Sequence, residues 1–297
     1  MFLSRREFLG TSAVLATTPL LAADKPKRLI MIAGTPSHPA GFHEFNAGVR
    51  LLEKCLKGAP GLEVVTFLNG YPKDDSVLDS ADGILCYSDG GPNHLLLREQ
   101  RLKRLGGLMA KGVGLMCAHY AVEVPKDLGG PEFQNWIGGY YESNWSCNPL
   151  WTPEFKTLPK HEITNGVKPF RIKDEWYFNM RWRDGMKGVT PILTAVPSDE
   201  VRNGPYVYPK GPYKHIQEAK GQPEHMMWAI ERPDGGRGVG FTGGHTHTNW
   251  LEPNYRKVFL NALLWICKAP VPADGVASNV TAEEIRENLD PKPVRKK

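Results

Sequence analysis

The stretch "GRGVGFTGGHTHTNW", residues 236 to 250, decides the fold. Its apolar run is closed by two glycines, so it reads as a strand that ends where His245 and His247 begin. Side chains two apart on an extended segment share a side, which aims both imidazoles the same way. After Pro253 and Asn254, the residues Tyr255, Val258, Phe259, Ala262, Leu263 and Ile266 recur at helical spacing on one apolar stripe. The unit is strand, histidine loop, helix, the junction at which open α/β sheets keep their chemistry.

Upstream, the same grammar repeats. The runs "RLIMIAG" (28 to 34), "LEVVTFL" (62 to 68), "GILCYSD" (83 to 89) and "GVGLMCAHY" (112 to 120) predict strands of a buried sheet. Helical periodicity separates three of them. It runs from about His43 to Lys57, with Phe45, Val49, Leu52 and Leu56 inward, and from about His94 to Lys111, with Leu95, Leu102, Leu105 and Met109 inward. Alternating β and α at this spacing predicts an α/β fold with a doubly wound, mostly parallel sheet.

From about 125 to 215 the pattern loosens into an insertion rich in aromatics, twelve of them within the fifty residues from Phe133 to Trp182. Strand-like runs return at "FRIKDEWYF", "TPILTAV", "HMMWAIE" and "GVGFTGG", so the insertion rejoins the sheet before the last helix. Its loop "RNGPYVYPKGPYKH" (202 to 215), with three prolines and three tyrosines, reads as a lid or rim. One domain is expected over 24 to 270. The tail, 271 to 297, holds one capped helix start, Thr281 with Glu284 three on, and otherwise solvated charge.

Residues 1 to 23 carry an address. Twin arginines in "SRREFLG", an apolar stretch from Ala13 to Ala22 too short to span a bilayer, and small residues after it predict a twin-arginine export signal and a periplasmic or secreted mature protein. No stable membrane anchor is expected, because no cysteine follows the apolar run. Without those residues 35 basic and 31 acidic side chains remain, a net charge of +4, which predicts no nucleic-acid partner. Five cysteines with no close pair suggest neither a disulfide framework nor a zinc knuckle.

Three more histidines sit at strand-to-helix junctions: His38 and His43 after the first strand and His119 after the fourth. In a parallel sheet these strand ends share one edge, so imidazoles two hundred residues apart can converge. Alone, each is a plausible structural histidine; agreement among three loops points to a pocket that four or five imidazoles share, drawn from His38, His43, His119, His245 and His247, and that suits a divalent metal. The segment "KHEITNGVKPFRIKDEWYFNMRW" (160 to 182) adds His161, Asp174, Glu175 and Arg181. A carboxylate there can serve as acid or base or complete a metal set, and since strand neighbours face opposite ways only one of Asp174 and Glu175 enters a given pocket. Tyr141, Trp145 and Trp176 are candidates to stack on a sugar ring, with core filling as the plain alternative. Cys117, two residues before His119, resembles a nucleophile elbow, but strand alternation buries its sulfur.

Together "SHPAGFHEFNAG", "GVGLMCAHYA", "HEITNGVKPFRIKDEWY" and "GRGVGFTGGHTHTNWLEPNYRKVFLNALLWI" resemble the trehalose-utilisation (ThuA-like) family over about residues 28 to 268. The resemblance implies a flavodoxin-like fold of the class I glutamine amidotransferase type, with His119 where amidotransferases carry their nucleophile. It implies work on trehalose or other disaccharides by way of 3-keto-glycosides, at a histidine pocket suited to metal. The family's polar positions fall on His43, His119, His161, Glu175 and His245; the proline that follows the fourth-motif histidine elsewhere is Glu162 here. His38 and His247 belong to a subgroup.

The expectation is an exported enzyme that hydrolyses or eliminates a glycoside, its partner a small carbohydrate. His43, His119 and His245 would hold a divalent metal, zinc or similar; His119, Glu175, His247 and His161 would act in catalysis, and Tyr141, Trp145, Trp176, Arg181 and His38 would hold substrate. A sugar-binding protein without turnover is the rival, and a cysteine hydrolase the third reading.

Overall fold

The computed structural model describes residues 25–98 and 100–292, so the twin-arginine segment lies outside the described residues. Its centre is a seven-stranded sheet: β1 (Lys27–Ala33), β2 (Leu62–Phe67), β3 (Gly83–Tyr87), β4 (Gly114–Ala118), β5 (Val189–Ala195), β6 (Glu224–Glu231) and β7 (Arg237–Phe241). Their order is β5-β6-β7-β4-β3-β1-β2. The pairs β7/β4, β4/β3, β3/β1 and β1/β2 are parallel, while β5/β6 and β6/β7 are antiparallel. The fold is thus α/β, with a mostly parallel, doubly wound sheet.

Period-two alternation divides the core. Leu29, Met31, Leu85, Tyr87 and Met116 face α1 (Phe45–Leu56) and the last helix; Ile30, Ile32, Ile84, Cys86, Leu115 and Cys117 face α2 (Arg101–Met109) and α3 (Lys126–Trp136). The last helix, α4 (Pro253–Ile266), is buried along nearly its whole length, and the Glu252 carboxylate caps it at Tyr255 N. Burial pushes the Cys117 thiol well above the ordinary range, which leaves it a core filler and not a nucleophile.

Three differences from the sequence reading have local causes. First, α1 starts at Phe45 and not at His43, because His43 has φ 47°, outside the helical region. Second, α2 starts at Arg101 and not near His94. The buried His94 ring takes Leu96 N on Nδ1 and gives Nε2–H to Ala121 O, so a side chain occupies the groups that a helix would use. Third, "FRIKDEWYF" never joins the sheet. It breaks into Phe170–Arg171 and Asp174–Glu175, paired in separate two-stranded ladders with Glu154–Phe155 and Leu150–Trp151.

The tail is more than solvated charge. Thr281 and Glu284 exchange backbone and side-chain hydrogen bonds as the capping pattern predicts, and Ile285 and Asp290 are buried. No helix among the described residues is long and apolar enough to cross a membrane.

A close backbone contact across the layers lies at the start of β4, where a Cβ on Gly114 would lie 2.1 Å from Ile266 O. Gly114→Ala is expected to lower the unfolding free energy by about 1–3 kcal/mol, since the chain must shift to admit one methyl group. Guanidinium unfolding of the two proteins measures it; an unchanged midpoint would show that α4 gives way freely.

Candidate functional site

Four adjacent parallel strands, β7, β4, β3 and β1, end on one edge, and the segment after each delivers a side chain to a common point: His245, His119, Asp89 and His43. A backbone ladder draws the outer two loops together. Phe42 pairs with Thr246, His43 N donates to His245 O (3.1 Å), and His247 N donates to Gly41 O (3.0 Å). The C-terminal segment pins the same loop: Lys292 Nζ donates to Ser37 O, Phe42 O and His43 O at 2.9–3.0 Å and lies 3.5 Å from Glu44.

His38, His43 and His119 all have left-handed backbones, with φ 60°, 47° and 55°. Such conformations cost a non-glycine residue about 1–3 kcal/mol and persist where surrounding bonds enforce them. At His119 the turn comes at once after β4, so the imidazole stands on the rim rather than in the core layers.

The hydrogen bonds assign the tautomers. Thr242 O can only accept, so His119 Nδ1 (3.0 Å) carries its hydrogen, and Asp89 accepts from His43 Nδ1 at 2.9 Å. Both Nε2 lone pairs therefore point inward, 3.0 Å apart. His245 Nδ1 lies 2.9 Å from His43 Nε2 and 3.3 Å from His119 Nε2, and Glu175 Oε2 lies 2.8 Å from His245 Nδ1. All four donor atoms are within 4.8 Å of one another, and their residues are buried. A tetrahedral cation with bonds of 2.0–2.1 Å needs donors about 3.3 Å apart, so this set fits a metal ion. Burial first, and then the neighbouring imidazoles, hold His43 and His119 well below the usual histidine range, which keeps them neutral and able to donate lone pairs. Burial raises the Glu175 carboxyl, and the His245 contact opposes it.

Asp174 and Glu175 divide as strand neighbours should. Glu175 enters the cluster, steadied by Asn148 Nδ2 at 2.7 Å. Asp174 faces the other way and accepts from Gly244 N, Thr246 N and the Tyr255 hydroxyl at 2.8–3.0 Å, which clamps the His245 loop onto α4.

Above the cluster opens a pocket of about 560 Å³. His38, Tyr120, Glu123, Tyr177 and Asn148 line it, and Val207 and Tyr208 from the proline-rich loop form its rim, the place expected of a lid. His38 stacks on His43 with ring centroids 3.6 Å apart.

Other sequence candidates lie elsewhere. His247 turns away because it opens a 3-10 turn, His247–Leu251, which breaks the two-residue alternation; its Nε2 donates to Ile285 O. His161 caps Ile163 and packs on Trp265, beside a different surface hollow. Trp176 is wholly buried against Phe155, Phe241 and Tyr255, and Tyr141 is buried against Tyr177. Trp145 stacks with His215 and the Arg181 guanidinium, which in turn binds Glu142 at 2.7 Å. The sequence reading passed over Asp89, Glu123, Tyr120 and Tyr177. Asp89 closes the third strand run and so shares the edge of the histidines, a signal that was present.

The trehalose-utilisation (ThuA) family pattern matches residues 36–266. A ThuA-like protein from Bacteroides uniformis superposes with a TM-score of 0.56 at 16% identity, over 84% of this chain and 95% of the other. One from Parabacteroides merdae gives 0.54 at 13% identity, over 89% and 100%. At these identities the likeness concerns the fold. No curated protein matches the chain.

Asp174→Ala takes the acceptor from four donors, Glu175 N, Gly244 N, Thr246 N and the Tyr255 hydroxyl, and is expected to cost about 3 kcal/mol or more of stability. Thermal and guanidinium unfolding test this, and a loss below about 1 kcal/mol would mean that the clamp is dispensable.

Proposed function

The chain belongs to the trehalose-utilisation (ThuA) family, and from that premise we propose that it is an exported, metal-dependent enzyme that hydrolyses or eliminates a small glycoside, including one oxidised to a 3-keto sugar. One observation carries the reading: the inward lone pairs of His43 and His119 lie 3.0 Å apart in a buried site, a mutual repulsion that a bound positive charge would relieve. His43, His119, His245 and Glu175 would hold that charge, and nitrogen with one carboxylate oxygen suits zinc or a similar divalent ion. When bound, such an ion supplies a Lewis acid for a sugar carbonyl or hydroxyl.

The chain's own residues do the rest. Asp89 and the Thr242 carbonyl fix the imidazole tautomers. Tyr177 points its hydroxyl at His119 Nε2 from 3.2 Å, and together with Tyr120 and Tyr208 it offers aromatic faces and hydroxyls to a sugar ring. These tyrosines replace Tyr141, Trp145 and Trp176 in that role, since the latter rings are engaged in packing. The rim at Val207 and Tyr208 narrows access for water; Val207 N and Tyr208 N are tied to Asn148, the residue that also steadies Glu175.

Elemental analysis of purified protein is expected to find about one divalent ion per chain, lost in His119→Ala. Asp89→Asn should weaken the ion's affinity about 10- to 100-fold in a chelator competition, by loosening His43 rather than removing a ligand. Incubation with glycosides and 3-keto-glycosides should release free sugar only in the metal-loaded protein. Saturable binding without product would make it a sugar-binding protein instead, and full metal content in His119→Ala would remove His119 from the donor set.

A further inference from the structure

Glu123 is a second carboxyl in the same pocket, four residues beyond His119 and outside the donor set. Its backbone is tied on every side. Glu123 N donates to Tyr120 O and Gly91 N to Glu123 O, each at 2.9 Å, and Glu123 bridges to Tyr141 in parallel. The opposing loop reaches it because Gly90 has no side chain: a Cβ there would lie 2.0 Å from Tyr120 O and 2.7 Å from Glu123 O. A Cβ on Gly91 would touch both Glu123 Oε1 and the Tyr120 hydroxyl at 3.5 Å, so these two groups share one wall.

Among the described residues no basic side chain pairs with the Glu123 carboxyl, and none donates a hydrogen bond to it. The charged and titratable groups that face it are Glu175 across the pocket and the hydroxyls of Tyr120, Tyr141, Tyr177 and Tyr213. Behind this wall the Tyr141 hydroxyl is buried with no partner among the described residues, close enough to feel the Glu123 charge. A carboxyl unpaired among the described residues, which lines the pocket just past the His119 turn and stands outside the donor set, is placed to hand a proton to whatever the pocket holds.

Resting on the glycoside reading above, we infer that Glu123 is the proton donor to the departing sugar oxygen. As the bond from the anomeric carbon to that oxygen breaks, its electron pair stays on oxygen, which takes the carboxyl proton. Water forms the new bond from its oxygen to the anomeric carbon and gives one proton to the Glu123 carboxylate, so each turnover is neutral. Burial, with Glu175 adding to it, raises the Glu123 carboxyl to about 7, so the group still carries its proton in mildly acidic solution. The rate should therefore fall as pH rises through that value.

The test compares metal-loaded wild type and Glu123→Gln on 4-nitrophenyl and methyl glucosides and their 3-keto forms. Metal content should be equal in the two proteins. The variant should lose about 10²-fold or more on the methyl compounds, whose leaving group needs a proton, and far less on the 4-nitrophenyl compounds, and its alkaline limb should vanish. Equal losses on both leaving groups, or none, overturn the inference while wild-type turnover keeps the glycoside reading. A wild type inactive on every compound sinks both.

Discussion

Two neutral imidazoles held with their lone pairs opposed at 3.0 Å are the constraint around which this protein is arranged. Left to themselves the rings would rotate apart or gain protons. They do neither, because Asp89 and the Thr242 carbonyl hold the outer nitrogens and burial disfavours the charged form. The surrounding features serve that arrangement. The sheet brings the strand ends to one edge, the ladder between Phe42 and Thr246 closes the gap between loops, and Asp174 stakes the His245 loop to α4. Left-handed backbone at His43 and His119 is what such a closely packed centre costs.

Much of the fold was legible because buried strands announce themselves by apolar runs and buried helices by their stripe, as in β1, β4, β7 and α4. The convergence of His43, His119 and His245 followed from one topological rule, that parallel strands with α crossovers end together. Where the reading failed, a side chain or a turn had displaced the periodic signal. His94 bonds to the backbone and shortens α2, and His247 enters a 3-10 turn that swings it out of register with His245. No periodicity encodes either event.

The aromatic-rich insertion misled for a different reason. Large rings are used both to fill cores and to bind sugars, and composition does not separate the uses. Here Trp176 plugs the space under the β7 loop, where a Cβ on Gly243 would meet its ring at 2.7 Å, while the rings that meet the pocket are Tyr120, Tyr177 and Tyr208. The insertion's contribution to the donor set is Glu175, delivered from the strand-like run "FRIKDEWYF", which breaks into short ladders instead of joining the sheet.

The pin at Lys292 sets an order of events. His43 enters the growing polypeptide early, His245 joins two hundred residues later, and the ammonium that gathers the carbonyls of Ser37, Phe42 and His43 comes last. A ribosome-bound fragment can build most of the sheet from N-terminal segments as they emerge. The loop that carries His43, by contrast, gains this pin only once residue 292 has folded back onto it, so the edge of the site is completed by contacts far apart in the sequence.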